Sequence, residues 1–196
     1  MYERKDRLYR RAKAEGLRSR AAFKLAALDR RLLRPGDRVV DLGCWPGGWL
    51  QIAARRVGEG GRVVGVDVRE LASIGLPQVC VIRGDVGENA VIDEIAHALG
   101  GLADVVLSDL APSLTGIASR DEARSTELVG RALAVAERLL RPGGSFVVKL
   151  FMNSDFERLR DELRARFADV AITRSEATRK GSAELYAVSR GFKGAS

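Results

Sequence analysis

The run Arg38-Val39-Val40-Asp41-Leu42-Gly43-Cys44-Trp45-Pro46-Gly47-Gly48-Trp49 decides the fold. Its first five residues read as a short strand, its glycines as a tight turn, and the stretch from Gly48 to Val57 as an amphipathic helix. A strand that passes through a glycine turn into a helix opens a doubly wound α/β sheet, whose ligands sit at the carboxyl ends of the strands.

Outward from this unit the same alternation continues. Further strands are expected over Arg62 to Asp67, Gln78 to Arg83, Ala103 to Asp109 and Ser145 to Phe151, with helices over Ala90 to Leu99, Asp121 to Leu140 and Ser154 to Phe167. Val170 to Arg174 and Ala183 to Arg190 leave no room for a helix between them, so they are expected to pair as an antiparallel hairpin at one edge. Seven strands with this ending resemble the class I methyltransferase variant of the Rossmann-like fold. Toward the N-terminus, residues 1–34 read as two helical pieces broken at Gly16, with Ser19 as a candidate N-cap and Ala21, Leu25, Leu28 and Leu32 on one face.

The 196 residues, 46% hydrophobic, suit one well-cored domain, with a basic helical extension over 1–34 and a catalytic core over 35–196. No apolar stretch is long enough to cross a membrane, and Glu3, Arg4, Lys5 and Asp6 are unlike a signal peptide, so a cytoplasmic protein is expected. Two cysteines do not make a disulfide scaffold, and one histidine does not make a zinc site. The net charge of +7 is unevenly placed: residues 1–34 hold 12 basic and 4 acidic residues, a net +8, on a near-neutral body. That segment reads as a docking surface for a polyanion or as a solvated helix face.

The turn narrows the ligand. In a dinucleotide fingerprint the second glycine lets the backbone approach a pyrophosphate. Here Trp45 stands at that place, followed by Pro46, which argues against a nicotinamide oxidoreductase. Gly43, Gly47 and Gly48 still leave room for a compact ligand, and S-adenosyl-L-methionine, which has no phosphate, fits better. Asp67 ends the second strand, where a carboxylate can accept both ribose hydroxyls. Asp85, followed by Val86, is placed to bond an adenine amine. Trp45 and Trp49 also read as ordinary packing residues, and Trp49 equally as a residue lining the pocket.

Lys149 is the anomaly in Ser145-Phe146-Val147-Val148-Lys149-Leu150-Phe151, an apolar strand in a chain whose 33 basic residues include 27 arginines and 6 lysines. A charge there needs a partner or a cleft, and lysine, unlike arginine, can give up its proton. Asp109 ends the neighbouring strand on the same rim, Lys24 borders the apolar stripe of the second helical piece, and Glu184 alternates with Ala183, Leu185 and Ala187. Taken singly, Lys24 reads as a solvated helix edge, Glu184 as an exposed strand residue, Asp109 as a turn former and Lys149 as a snorkelling strand-end lysine.

Taken together, Gly16-Leu17-Arg18-Ser19-Arg20-Ala21 with Phe23-Lys24-Leu25, Asp41-Leu42-Gly43 with Pro46-Gly47-Gly48-Trp49, Ser108-Asp109 with Ala111-Pro112, and Pro142 to Lys149 resemble the FtsJ/RrmJ RNA 2′-O-ribose methyltransferases along nearly the whole chain. The resemblance implies a catalytic tetrad of Lys24, Asp109, Lys149 and Glu184. It implies cofactor contacts at Gly47, Trp49, Asp67, Asp85 and Asp109. Cys44 and Trp45 depart from the small residues expected in the turn.

The resemblance further implies that Lys149 removes the proton of a ribose 2′-hydroxyl as its oxygen attacks the sulfonium methyl, with no metal. Burial and the Lys24 ammonium would favour the neutral amine, and the carboxylates would oppose it, so the groups would titrate together. The implied partner is RNA, a uridine of the 23S rRNA A-loop within the large ribosomal subunit, and the implied state is a monomer. Methylation of tRNA or of another rRNA site, and a noncatalytic RNA-binding module, are the competing readings.

Overall fold

The computed structural model describes residues 3–28, 31–113, 115–175 and 183–194; side chains are described from Tyr9 onward. Seven strands form one sheet: β1 (Arg38–Leu42), β2 (Arg62–Asp67), β3 (Val79–Arg83), β4 (Ala103–Ser108), β5 (Leu140–Phe151), β6 (Phe167–Thr173) and β7 (Glu184–Phe192). Their order is β3-β2-β1-β4-β5-β7-β6. The first five are parallel, and β7 runs antiparallel to both β5 and β6. The expected edge hairpin forms, with β7 inserted inside β6. Chain order reverses between β1 and β4, which opens the crevice where such sheets take ligands.

Six helices are described: α1 (Glu3–Ala14), α2 (Ala22–Leu28), α3 (Gly48–Val57), α4 (Asn89–Leu99), α5 (Ala118–Leu139) and α6 (Phe156–Arg166). None is long and apolar enough to cross a membrane. Strand alternation divides the core into two layers. Val40, Leu42, Val106, Phe146, Val148, Leu150, Leu185 and Ala187 share a cluster with residues of α4, α5 and α6. Val39, Val63, Val105, Leu107, Val147, Tyr186 and Val188 pack with Leu25 of α2 and with Leu50, Ala53 and Val57 of α3.

Three details differ from the sequence expectation. The strand expected from Ser145 begins at Leu140, because Leu140 already pairs with Ala103 before a register shift brings Ser145 against Val105. The chain does break at Gly16, whose φ of 66° is left-handed, but Ser19 does not cap the following helix. That helix starts at Ala22, whose N–H reaches the Ser19 carbonyl at 3.2 Å, while Ser19 Oγ is buried without a hydrogen-bond partner among the described residues. The helix expected to run to residue 34 ends at Leu28; Asp29 and Arg30 lie outside the described residues, and residues 31–34 are turn and irregular chain, with Leu32 still buried in the core.

Candidate active site

Alternation explains why the proposed chemistry collects on one face. Val147 of β5 and Val188 of β7 pack toward α2 and α3, so Lys149, Tyr186 and Glu184, each an even number of residues away, project to the same side. Lys149 stands directly opposite Tyr186 in the antiparallel pairing, and Phe151 opposite Glu184. Leu107 carries the same parity to Asp109, just past β4. Lys24 comes down onto this face from α2, whose Ala22 and Leu25 are buried.

The four expected residues make two ion pairs. Lys149 Nζ donates to the Asp109 carbonyl at 2.8 Å and lies 3.3 Å from Asp109 Oδ1. Lys24 Nζ lies 2.6 Å from Glu184 Oε1. Only 6% of the Lys149 side chain is exposed, against 15% for Lys24 and 13% for Glu184, so neither the solvated helix edge nor the exposed strand residue describes this chain. Removing one member of so buried a pair leaves an uncompensated charge, typically at a cost of about 3–5 kcal/mol.

Tyr186 joins the pairs. Its hydroxyl donates to Asp109 Oδ1 at 2.8 Å and accepts from Lys24 Nζ at 3.3 Å. Burial, then the charges of Asp109 and Glu184, push its phenol far above the ordinary tyrosine value, so it stays a donor. Tyr186 is not among the residues singled out above from the sequence. The available signal was its two-residue spacing from Glu184, which puts a phenol on the charged face, where a buried hydroxyl needs a partner.

The residues expected to hold a cofactor line the neighbouring strand ends. Each Asp67 oxygen accepts one backbone N–H, Oδ2 from Trp45 and Oδ1 from Arg69, both at 2.9 Å. Asp85 Oδ1 accepts from Gly87 N–H at 2.8 Å and lies 3.3 Å from Arg131, a partner the sequence reading did not foresee. Val86 is buried in the layer under α4 and α5. Trp49 is buried; its indole N–H donates to the Ala21 carbonyl at 2.8 Å, and its ring lies 5.9 Å from that of Tyr186. The indole thus ties the turn to the segment bearing Lys24.

The turn glycines are close-approach points. A Cβ at Gly47, whose φ of 104° is left-handed, would lie 2.8 Å from Ile74 and 3.0 Å from Arg18. At Gly48 it would meet Ser19 Oγ at 2.3 Å, and at Gly43 the Leu110 side chain at 3.0 Å. Arg18 in turn bonds the carbonyls of Ala72 and Ser73 at 2.6 and 2.5 Å. The room left by the missing side chains therefore seats the N-terminal segment and the loops, which fence the crevice.

Asp41 lies under this crevice, fully buried, with neither oxygen hydrogen-bonded among the described residues. Burial, then repulsion from Asp109 and Asp67, raises its carboxyl well above the ordinary range. A ligand carrying positive charge would relieve that repulsion. By contrast, the cleft of about 630 Å³ lined by Arg31, Arg34, Asp104, Arg141 and Arg190 opens at the opposite rim, where β1, β4 and β5 begin.

Residues 17–192 match the FtsJ-like methyltransferase family. The chain belongs to that family. The methyltransferase is 47% identical to the ribosomal RNA large subunit methyltransferase E of Anaeromyxobacter sp. (strain Fw109-5) over 98% of this chain and 70% of that protein. It is 45% identical to the protein of the same name from Methanothermobacter thermautotrophicus, over 97% of this chain and 91% of the relative. Among solved structures, a Plasmodium falciparum protein described as a ribosomal RNA methyltransferase superposes with a TM-score of 0.79 at 28% identity, covering 91% of this chain and all of that one. The methyltransferase uses S-adenosylmethionine as its cofactor. The sulfonium and ammonium of that cofactor suit a crevice lined by Asp67 and Asp109 with Asp41 beneath it, and bound there it would supply the electrophilic methyl group.

Proposed function

We propose that this methyltransferase acts on ribosomal RNA, methylating a ribose 2′-hydroxyl, with Lys149 as general base. The observation that carries the reading is the buried network Lys149–Asp109–Tyr186–Lys24–Glu184 at the switch-point crevice. It needs no metal to work on a hydroxyl: Lys149 in its neutral form, with an N–H still donated to the Asp109 carbonyl, accepts the proton on its lone pair, and a neighbouring buried phenol keeps Asp109 oriented. General base catalysis of this kind contributes roughly 10² to 10⁴ in rate, and alignment of the two substrates supplies much of the remainder.

In this reading Asp67 holds the ribose of the cofactor and Asp85 its adenine. Gly43, Gly47, Gly48, Trp49 and Val86 shape the walls, and Asp109 faces both cofactor and tetrad. The basic segment over residues 1–34 holds RNA phosphates beside Lys24. The names of the relatives support a target in the large ribosomal subunit, and the resemblance of the tetrad stretches supports a uridine of the 23S rRNA A-loop. We place the protein in the cytoplasm and take it to act as a monomer.

Methyl-transfer assays on intact large subunits, naked rRNA and tRNA, with ribose methylation mapped by mass, test the assignment. Methylated uridine in the A-loop of large subunits is the expected result. Preference for tRNA, or methylation of a base instead of a ribose, would overturn it.

A further inference from the structure

The one exposed tryptophan of the turn is not used by the network above. Trp45 is 47% exposed, although it stands inside the turn that opens α3. Its indole is covered on one side by the Arg69 guanidinium, 4.8 Å from the ring centroid. Among the described residues Arg69 forms no ion pair. The backbone N–H groups of these same two residues are the donors that hold the two oxygens of Asp67. Between Asp67 and Arg69 lies Val68, 61% exposed. One carboxylate is thus flanked by an indole, a valine and a stacked guanidinium, all open to solvent.

Each carboxylate oxygen has two acceptor directions, and the backbone donors take one apiece. Asp67 therefore keeps a free direction on both oxygens, the pattern that a vicinal ribose diol satisfies. A group bonded there comes to lie against side chains anchored on the same carboxylate. An indole offers such a group an apolar face at little conformational cost, because it has only two side-chain torsions. The stacked guanidinium holds the ring and stays wet on its outer side.

Resting on the reading of Asp67 as the ribose acceptor, we propose that Trp45 and Arg69 form the outer wall of the cofactor site, packing over the ribose of bound S-adenosylmethionine and retaining it. The wall touches the part that substrate and demethylated product share. It sets the affinity for both equally and leaves the methyl-transfer step alone.

The chain has two tryptophans, and Trp49 is 3% exposed, so acrylamide reaches chiefly Trp45. Saturating S-adenosylmethionine, or S-adenosylhomocysteine, should shield the emission of the native protein from acrylamide. By calorimetry, Trp45→Ala should weaken both ligands by the same factor, about fivefold to tenfold, with kcat at saturating cofactor within about twofold of the native value. Trp45→Phe should restore most of the affinity. The proposal falls if cofactor leaves quenching unchanged, if RNA alone shields Trp45, or if Trp45→Ala binds as the native protein does. The reading of Asp67 is tested separately: Asp67→Ala that keeps native cofactor affinity overturns that reading, whatever Trp45 does.

Discussion

Tyr186 Oη donates to Asp109 Oδ1 at 2.8 Å and accepts from Lys24 Nζ at 3.3 Å, so one hydroxyl links the two lysine-carboxylate pairs of the site. The phenol is fully buried and stands across the strand pair from Lys149. Neither ion pair is isolated, and a change at one end should be felt at the other.

Tyr186→Phe keeps the ring against Trp49 and removes only the hydroxyl. A hydrogen bond to a charged group is worth about 1.5–3 kcal/mol, so kcat/KM for methyl transfer should fall roughly tenfold to a hundredfold. Affinity for S-adenosylmethionine should stay native. Steady-state kinetics set beside calorimetry check this, and full activity in the variant would remove Tyr186 from the mechanism.

Lys149 can be tested without deleting its charge. Lys149→Arg retains a cation but no group that can give up its proton at neutral pH, so single-turnover methylation should drop by about 10² to 10⁴. Lys149→Ala should be equally inactive and should also lose stability, because Asp109 would then lack its buried partner. Methylation at the native rate by either variant, with cofactor bound, would rule out the general base.

Asp41 makes the ligand-free protein depend on pH in a known direction. Its folded value lies above the unfolded value near 3.9, so the stability its protonated form contributes is complete below that value and is lost as pH rises through the folded one. Asp41→Asn removes a charge that burial disfavours first, and repulsion from Asp109 and Asp67 next. Thermal melts without cofactor should show Tm raised at pH 8, where the unfolded chain gains by ionising Asp41 and the variant has no such group, and little changed near pH 4. A larger gain at the acid end would contradict the assignment.

The basic N-terminal segment predicts salt-dependent RNA binding. Lys13 is exposed and Arg20 half-buried on the segment that leads to Lys24. Replacing both with glutamate should weaken RNA binding across sequences and lower the slope of log affinity against log salt by about 1 for each phosphate left without its cation. Filter binding over a range of salt measures this, and an unchanged slope would move the RNA to another face.

Much of the site was legible in the chain because strand chemistry is local. Lys149 stood out as a charge in an apolar run, Asp67 and Asp109 as carboxylates at strand ends, and the Gly43 to Trp49 turn as a helix entry, and each lies where a parallel sheet puts it. The partnership of Lys24 with Glu184 spans 160 residues and depends on α2 crossing the β7 face, which no spacing encodes. Ser19 shows the same limit. It reads as a helix cap from its neighbours, yet its hydroxyl is committed by packing on Gly48, from a different element.

By itself the sequence determined the class of fold, the order of strands and helices, the edge hairpin and the identities of the charged residues. These follow from period-two and helical patterning and from turn chemistry, which act over a few residues. Only the tertiary structure decided which carboxylate each lysine takes, that Tyr186 joins the pairs, that Asp41 is buried with no hydrogen-bond partner among the described residues, and that Trp45 stays open beside Asp67. Those outcomes depend on how the two faces of the sheet are covered and on which side chains are driven out of water together. They are set by packing between elements far apart in the chain.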